Sequence, residues 1–312
     1  MTLTPDHRRL RPLRGVRNLR SRRRSAAPMA LVPGDQPGPA GGVAFVFQGG
    51  GSLAAPQVGM LRALTEVGLR PDLVIGSSAG ALNAVAFASD PSPGGLDKIE
   101  AVWRSLRRRH VAPLSARTLL AAVAGRTDGL VSSSALRSLL ASAAVARTLG
   151  DTVIPAHVVV TELASGAPVV LSEGETVPAL LASCAFPGLY PPVAMGERLL
   201  VDGGVSADLP VLQAEALGAR VTYVLPAAAC GVGPPLPRGP LPLAFRALAQ
   251  VLDSVARGDV AAARGPVHVL PAPGTAAASP VDFRDTSRLI DEGYRLAVGW
   301  LESDLMRAGV GA

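Results

Sequence analysis

The run Gly42–Phe47 (GVAFVF) is apolar throughout, β-branched and aromatic, and predicts a buried strand. Polar and apolar positions then alternate with helical spacing over Ala54–Val67, with Pro56 in the first turn, where a missing N–H costs little, and Gly68 as the stop. Asp72–Ile75 (DLVI) predicts a second strand and Ala79–Ala88 a second helix. Strand, helix, strand, helix joined by tight glycine-rich turns is the signature of a parallel α/β arrangement. From 97 to 147 the period becomes helical, in KIEAVWRSLRRR, SARTLLAAVAG and SSSALRSLLASAA, with Ser132 or Ser133 as a cap for the last. Arg107, Arg108 and Arg109 read as a solvated helix end. Strands resume at Ile154–Thr161 and Ala167–Leu171, joined by a hairpin turn at Glu162–Gly166, and again at Leu199–Val201, Val221–Leu225 and Val267–Leu270. Gly231–Pro242 reads as a loop, and Leu243–Ala263 and Thr286–Leu301 as helices. The expected fold is therefore one α/β domain over 42–312, with a mainly parallel central sheet flanked by helices.

Composition changes the picture at the N-terminus. The chain carries a net charge of +6, but residues 1–24 hold nine Arg against one Asp, a net of +8, so the rest sums to −2. Residues 1–41 thus read as a disordered Arg-rich tail ahead of a nearly neutral domain. A solvated tail, or a chain whose first residue is Met29, outweighs an arm for acidic lipid headgroups or nucleic acid, and no nucleic-acid partner is expected. The Arg-rich stretch precedes no apolar segment of signal-peptide length. No run of about eighteen uncharged apolar residues predicts a membrane span. Cys184 and Cys230 offer neither a disulfide framework nor a metal spacing, which fits a soluble, reducing, cytoplasmic setting with no metal.

Three stretches carry chemistry. Gly76-x-Ser78-x-Gly80 has the spacing of a nucleophile elbow, with a strand before it and a helix after it. A sharp strand-to-helix turn needs small neighbours at Gly76 and Gly80, and it stands the Ser78 hydroxyl clear of the sheet. Such a serine needs a base. Of the four histidines, His7 lies in the tail, His110 ends a charged helix, and His157 and His268 sit inside apparent strands. A carboxylate within reach can accept the proton directly. Asp202-Gly203-Gly204, after the strand RLLVD, places an acid at a strand C-terminus, as Ser78 is placed. The third stretch, Gly49-Gly50-Gly51, formally fits a dinucleotide fingerprint with Ala54. That reading needs an acid at the far end of the next strand, and Asp72 stands at its near end. Backbone N–H groups for an oxyanion make no such demand.

Taken together, these blocks resemble the patatin-like phospholipase family. GGGSLA is similar to its glycine-rich motif, GSSAG to its serine elbow and VDGG to its D-G-[GA] motif, in the family's order. TELASGAPVVLSEG resembles its hairpin region, SCAFPGLYPPV its Pro-rich segment, and SPVDFRDTSRLIDEGYRLAVGWL the end of bacterial members, so the likeness runs from Val43 to Leu301. The resemblance implies a three-layer α/β/α fold and hydrolysis of lipid or phospholipid acyl esters without cofactor or metal. Ser78 would be the nucleophile, Asp202 the base of a Ser–Asp dyad, and Gly49, Gly50 and Gly51 the oxyanion hole. It also implies a lipid or acyl-ester substrate and peripheral contact with a membrane surface. Leu53 stands where the family usually has a basic residue, Ala54 where it has a final glycine, and Ala207-Asp208 where Asn-Asn is frequent. A catalytically silent lipid-binding or scaffold protein, a Ser-His-Asp α/β-hydrolase and a nucleotide-dependent oxidoreductase stay open as alternatives.

Overall fold

The computed structural model describes residues 42–113, 124, 126–142, 146–230, 239–275 and 279–309. The tail expected over 1–41, most of the helix expected over 115–125 and the loop residues 231–238 lie outside them. An eight-stranded sheet forms the centre. Its strands are β1 (Gly42–Phe47), β2 (Leu73–Ser77), β3 (Ala156–Glu162), β4 (Pro168–Leu171), β5 (Val193–Met195), β6 (Arg198–Asp202), β7 (Ala219–Leu225) and β9 (Val267–Val269), in the order β5-β6-β3-β2-β1-β7-β9, with β4 also paired to β3. From β3 to β9 every pairing is parallel, whereas β4, β5 and β6 run antiparallel to their neighbours. A separate two-residue pair joins β8 (Ala229–Cys230) to β10 (Gly274–Thr275).

Successive side chains of a strand point to opposite faces, and here both faces are covered, so the central strands read as unbroken apolar runs. Phe45 and Phe47 enter the larger core cluster, packed by α1 (Pro56–Glu66), α2 (Ala79–Ser89), α3 (Pro93–Ser105) and the last helix, Thr286–Gly309. Ala44, Val46 and Ile75 enter the second cluster, under the helices Val211–Ala216 and Pro240–Ala262. The layers are helix, sheet, helix.

The elements depart from expectation where local pattern is weak. The helix expected from Ala54 starts at Pro56, after a 3₁₀ turn over Gly51–Ala54. The stretch expected as one helix through Arg109 breaks at Leu106, which is buried with an extended backbone, and restarts as the four-residue Arg108–Val111. The long helix begins at Pro240, inside the expected loop. Helix Thr176–Ser183 and the edge strand Val193–Met195 are additions.

One feature of the sheet matters most for chemistry. Val159 and Val160 of β3 pair with Val170 and Val169 of β4, which occupies one edge of β3 across this region. On the other edge Val159 faces Ser77 of parallel β2, and Val160 faces Asp202 of antiparallel β6. β2 and β6 therefore meet head to head along one edge of β3, with their C-termini abutting. A serine just after one and an aspartate at the end of the other are forced together.

Candidate active site

Ser78 follows β2 and caps α2 with φ 53° and ψ −129°, the only non-glycine residue at positive φ among the described residues. Such a conformation costs roughly 1–3 kcal/mol and persists only where the surroundings impose it. Both flanking glycines are required by close approach. A Cβ on Gly76 would lie 2.6 Å from the Gly80 carbonyl carbon, and one on Gly80 would lie 2.5 Å from the carbonyl oxygens of Phe47 and Gln48. Ser183, at the end of helix Thr176–Ser183, ties the turn down. Its hydroxyl accepts from the Ser78 N–H at 2.8 Å and donates to the Val159 carbonyl at 2.6 Å.

The Ser78 hydroxyl donates to Oδ2 of Asp202 at 2.7 Å. The other carboxylate oxygen accepts from the Gly204 N–H at 2.8 Å, and the Asp202 carbonyl accepts from the Thr161 hydroxyl at 2.8 Å, so the acid is fixed in orientation. Burial pushes the Asp202 pKa up to about 7; the Ser78 and Gly204 hydrogen bonds pull it down, and the nearby Asp208 charge pushes it further up. Asp208 is itself raised to about 6, mainly by burial, and accepts from the Gln48 side-chain amide at 2.9 Å. The thiol of Cys184, buried beside the pair, is pushed well above its usual range by burial and by the Asp202 charge, and stays neutral.

The glycine loop lies against this pair, and its three residues differ. The Gly49 N–H donates to the Asp208 carbonyl at 3.1 Å, and a Cβ there would lie 2.5 Å from Asp208 Oδ1 and 3.3 Å from the Ser78 Cβ. Gly49 is thus a close-packing position whose donor is occupied, which revises its expected place in an oxyanion hole. Gly50 and Gly51 adopt φ 142° and 59°, conformations that favour glycine, and their N–H groups have no partner among the described residues. Ser52 N–H donates to the Pro280 carbonyl at 2.7 Å and closes the turn. Leu53, where a basic residue was expected from the resemblance, is 8% exposed and belongs to the larger core. A charge there would be buried. Beneath the loop, the Trp103 indole donates to Asn83, Asn83 to Gln57, and Gln57 to the Gln48 and Leu225 carbonyls, a chain in which each buried amide group is paired.

Ser78 and Asp202 open into a cavity of about 470 Å³ whose walls are mainly apolar, including Leu82, Ile99, Val102, Leu136, Leu140, Leu180, Phe186 and Val281. That volume is within the range of sites for small organic ligands. His268 and His157 lie elsewhere. His268 is stacked on Tyr223 with ring centroids 4.9 Å apart, on a strand three places from β2, which at sheet spacing is about 14 Å away. His157 pairs with Ile75 and bonds Ser172 at 2.8 Å, and burial pushes its pKa down to about 4. Asp72 grips β1 through the Val43 N–H, at the opposite end of β2 from Ser78. No group of three potential metal ligands occurs among the described residues.

Sequence patterns single out neither Ser183 nor Gln48, and they give Asp208 and Cys184 no role at the site. The signal for Ser183 was present, as a polar residue in the apolar run ALLASCAF, but its partner is over a hundred residues away.

The patatin-like phospholipase model matches residues 45–215, more than half of the chain, and the chain belongs to that family. Patatin-like phospholipase domain-containing protein 7 of Rattus norvegicus is 28% identical over 185 residues, 59% of this chain and 13% of the relative. Two uncharacterized NTE family proteins of Mycobacterium tuberculosis are similar as well. One is 32% identical over 53% of this chain and 27% of its own length, the other 29% over 71% and 59%. The chain thus spans only a minor part of the rat relative and of the first mycobacterial one. Among the described residues, no helix is long and apolar enough to cross a membrane.

Proposed function

We propose that this chain hydrolyses acyl esters of lipids through an acyl-enzyme, with Ser78 as nucleophile and Asp202 as base. The observation that carries the reading is the 2.7 Å hydrogen bond from the Ser78 hydroxyl to a buried carboxylate at the end of an apolar cavity. The acyl chain occupies the cavity, with its ester carbonyl at Ser78. As Ser78 Oγ attacks, its proton passes to Asp202 Oδ2, and the negative charge on the carbonyl oxygen is received by the N–H groups of Gly50 and Gly51. Asp202 returns the proton to the departing alkoxide, leaving an acyl-serine. Water then attacks that ester while Asp202 takes its proton, and Asp202 passes that proton to Ser78 Oγ as the fatty acid leaves. The test is labelling by a fluorophosphonate probe, which reacts only with an activated serine. Wild-type protein should be labelled and should turn over p-nitrophenyl octanoate; a protein with neither property has a silent site.

Because Asp202 works only as the carboxylate, its raised pKa sets the acid limb of the rate. We expect kcat/KM to climb about tenfold per pH unit up to a midpoint near pH 7 and to level above it. Asp208→Asn removes the neighbouring charge and should move this midpoint to lower pH; a pH-independent rate between 5 and 8 would rule out Asp202 as the base.

The cavity predicts chain-length dependence. Each buried methylene contributes about 0.8 kcal/mol, so kcat/KM for p-nitrophenyl esters should rise about fourfold per carbon from acetate until the cavity is full. A flat series would show that the cavity does not hold the acyl chain.

A further inference from the structure

The apolar cavity is elongated, and one helix sets its length. Ser78, Leu82, Ala86 and Asp90 all line it, and they mark successive turns of α2, from the residue that caps its start to the residue that caps its end. At about 1.5 Å of rise per residue, Ser78 and Asp90 lie roughly 18 Å apart along the helix axis. The facing wall is α3, which runs the other way. The Trp103 indole meets Asn83 at 2.7 Å in the half nearer the serine, and Lys98 Nζ meets the Asp90 carboxylate at 2.9 Å at the far end. Between those ends Leu82, Ala86, Ile99 and Val102 make the two walls apolar, and the one polar side chain, Asn83, is spent on Ala54, Gln57 and Trp103. The Asp90–Lys98 pair is the first charge met along α2 and α3 on going away from Ser78. It is in contact with water, its side chains being 39% and 70% exposed. Hydrogen bonds from Ser92 and Lys98 hold the Asp90 carboxyl below the usual carboxylate range, so the pair stays ionised.

We propose that α2 is a ruler for the acyl chain: a straight chain bound at Ser78 runs along the helix past Ala86 and ends at the Asp90–Lys98 pair, which selects acyl groups of about 14 to 16 carbons. The inference rests on the acyl-ester hydrolase reading and deepens it, from the kind of bond broken to the length of the acyl group. A fully extended chain advances roughly 1.2 Å per single bond, as the peptide backbone does in covering about 3.6 Å with three, so a trough of about 18 Å holds about fifteen carbons. A methylene laid between α2 and α3 leaves water for an apolar wall. One that passes the ion pair enters solvent beside two charges and gains nothing. Ala86 is the gauge of the ruler. Its methyl is half-buried in the cavity wall about 12 Å along the helix from Ser78, which sets it beside about the tenth carbon. A larger side chain there closes the trough partway, two turns of helix from the serine.

The test measures second-order labelling rate constants of the full chain with alkyl fluorophosphonates whose straight chains run from butyl to eicosyl, at nanomolar concentration so that none aggregates. Ser78 Oγ forms its bond to phosphorus as fluoride leaves, and the alkyl group takes the place of the acyl chain. For wild type the rate constant should rise about fourfold per carbon as far as tetradecyl to hexadecyl and level off beyond. In Ala86→Trp the rise should stop near decyl, so that the tetradecyl-to-butyl ratio of rate constants falls about 100-fold or more. Ala86→Leu, a smaller plug, should lower the same ratio about tenfold. Circular dichroism melts check that the variants are folded. A ratio within about twofold of wild type in folded Ala86→Trp, or in Ala86→Leu where the tryptophan variant does not fold, overturns the proposal. So does a wild-type series that levels off short of dodecyl or is still climbing at eicosyl. A wild type that takes no probe of any length refutes the hydrolase reading itself.

Discussion

Ser78→Ala is expected to lower hydrolysis of p-nitrophenyl octanoate by about 10,000-fold or more and to abolish fluorophosphonate labelling, while leaving the protein folded. The size follows from the role: without Oγ no acyl-enzyme forms, and the remaining N–H donors can only assist water. The strained backbone supplies a second, independent measurement. Alanine keeps the Cβ that makes φ 53°, ψ −129° costly, so Ser78→Ala retains the strain. Ser78→Gly is equally inactive but relieves it. Both variants leave Asp202 Oδ2 without its serine partner, so the difference between them isolates the backbone. The relief of about 1–3 kcal/mol is partly offset by about 0.4–1 kcal/mol from the freer unfolded glycine chain, and the glycine variant should melt higher than the alanine variant. Equal melting temperatures would mean that the elbow carries no strain in solution. Retained turnover in either variant would remove Ser78 from the mechanism.

Much of this site was legible before any coordinates, and the reason is chemical. Gly76 and Gly80 announce a turn that admits no Cβ, and the apolar run before them and the helical period after them place that turn at a strand end. Asp202 was legible only together with the elbow: an acid followed by two glycines is by itself an ordinary turn, but this one ends the strand RLLVD as Ser78 ends its own, and the sequence offers that serine no well-placed histidine. What the sequence does not display is the path by which the two meet. That depends on β6 running antiparallel to β3 and stopping opposite Val160, one residue beyond the point where β2 stops. Pairing over more than a hundred residues is set by the global packing of the sheet, and no local period encodes it. The same holds for Ser183, whose hydroxyl bridges the elbow and β3 from a helix that the apolar run TVPALLAS does not distinguish from a strand. Gly49 shows the converse. Its motif was recognisable, but whether its N–H faces the site or the Asp208 carbonyl is decided by a loop far along the chain.

Asp202→Asn should separate activity from stability. The amide is nearly isosteric: its oxygen can accept from Gly204 and its NH₂ can face the Ser78 oxygen, so the geometry survives while the base is lost. Removal of a general base lowers rates by about 100- to 10,000-fold, and the variant should fall in the upper part of that range because His268 lies three strands away and His157 is engaged with Ser172. Its stability should move the other way. The folded-state pKa of Asp202 is raised from 3.8 to about 7, so folding favours the protonated acid. The stability associated with that proton is complete below the unfolded-state value near pH 4 and is lost as pH rises through about 7. Above pH 7 the wild type therefore holds a buried ionised carboxylate at a cost on the order of 4 kcal/mol, at about 1.4 kcal/mol per pKa unit. Asparagine carries no charge at any pH and avoids that cost. Denaturant melts should find Asp202→Asn more stable than wild type at pH 8 by a few kcal/mol, and the two should converge near pH 4. An inactive variant less stable than wild type at pH 8 would mean that the carboxylate is held by its hydrogen bonds more strongly than burial opposes it. The acid limb near pH 7 would then have to come from another group.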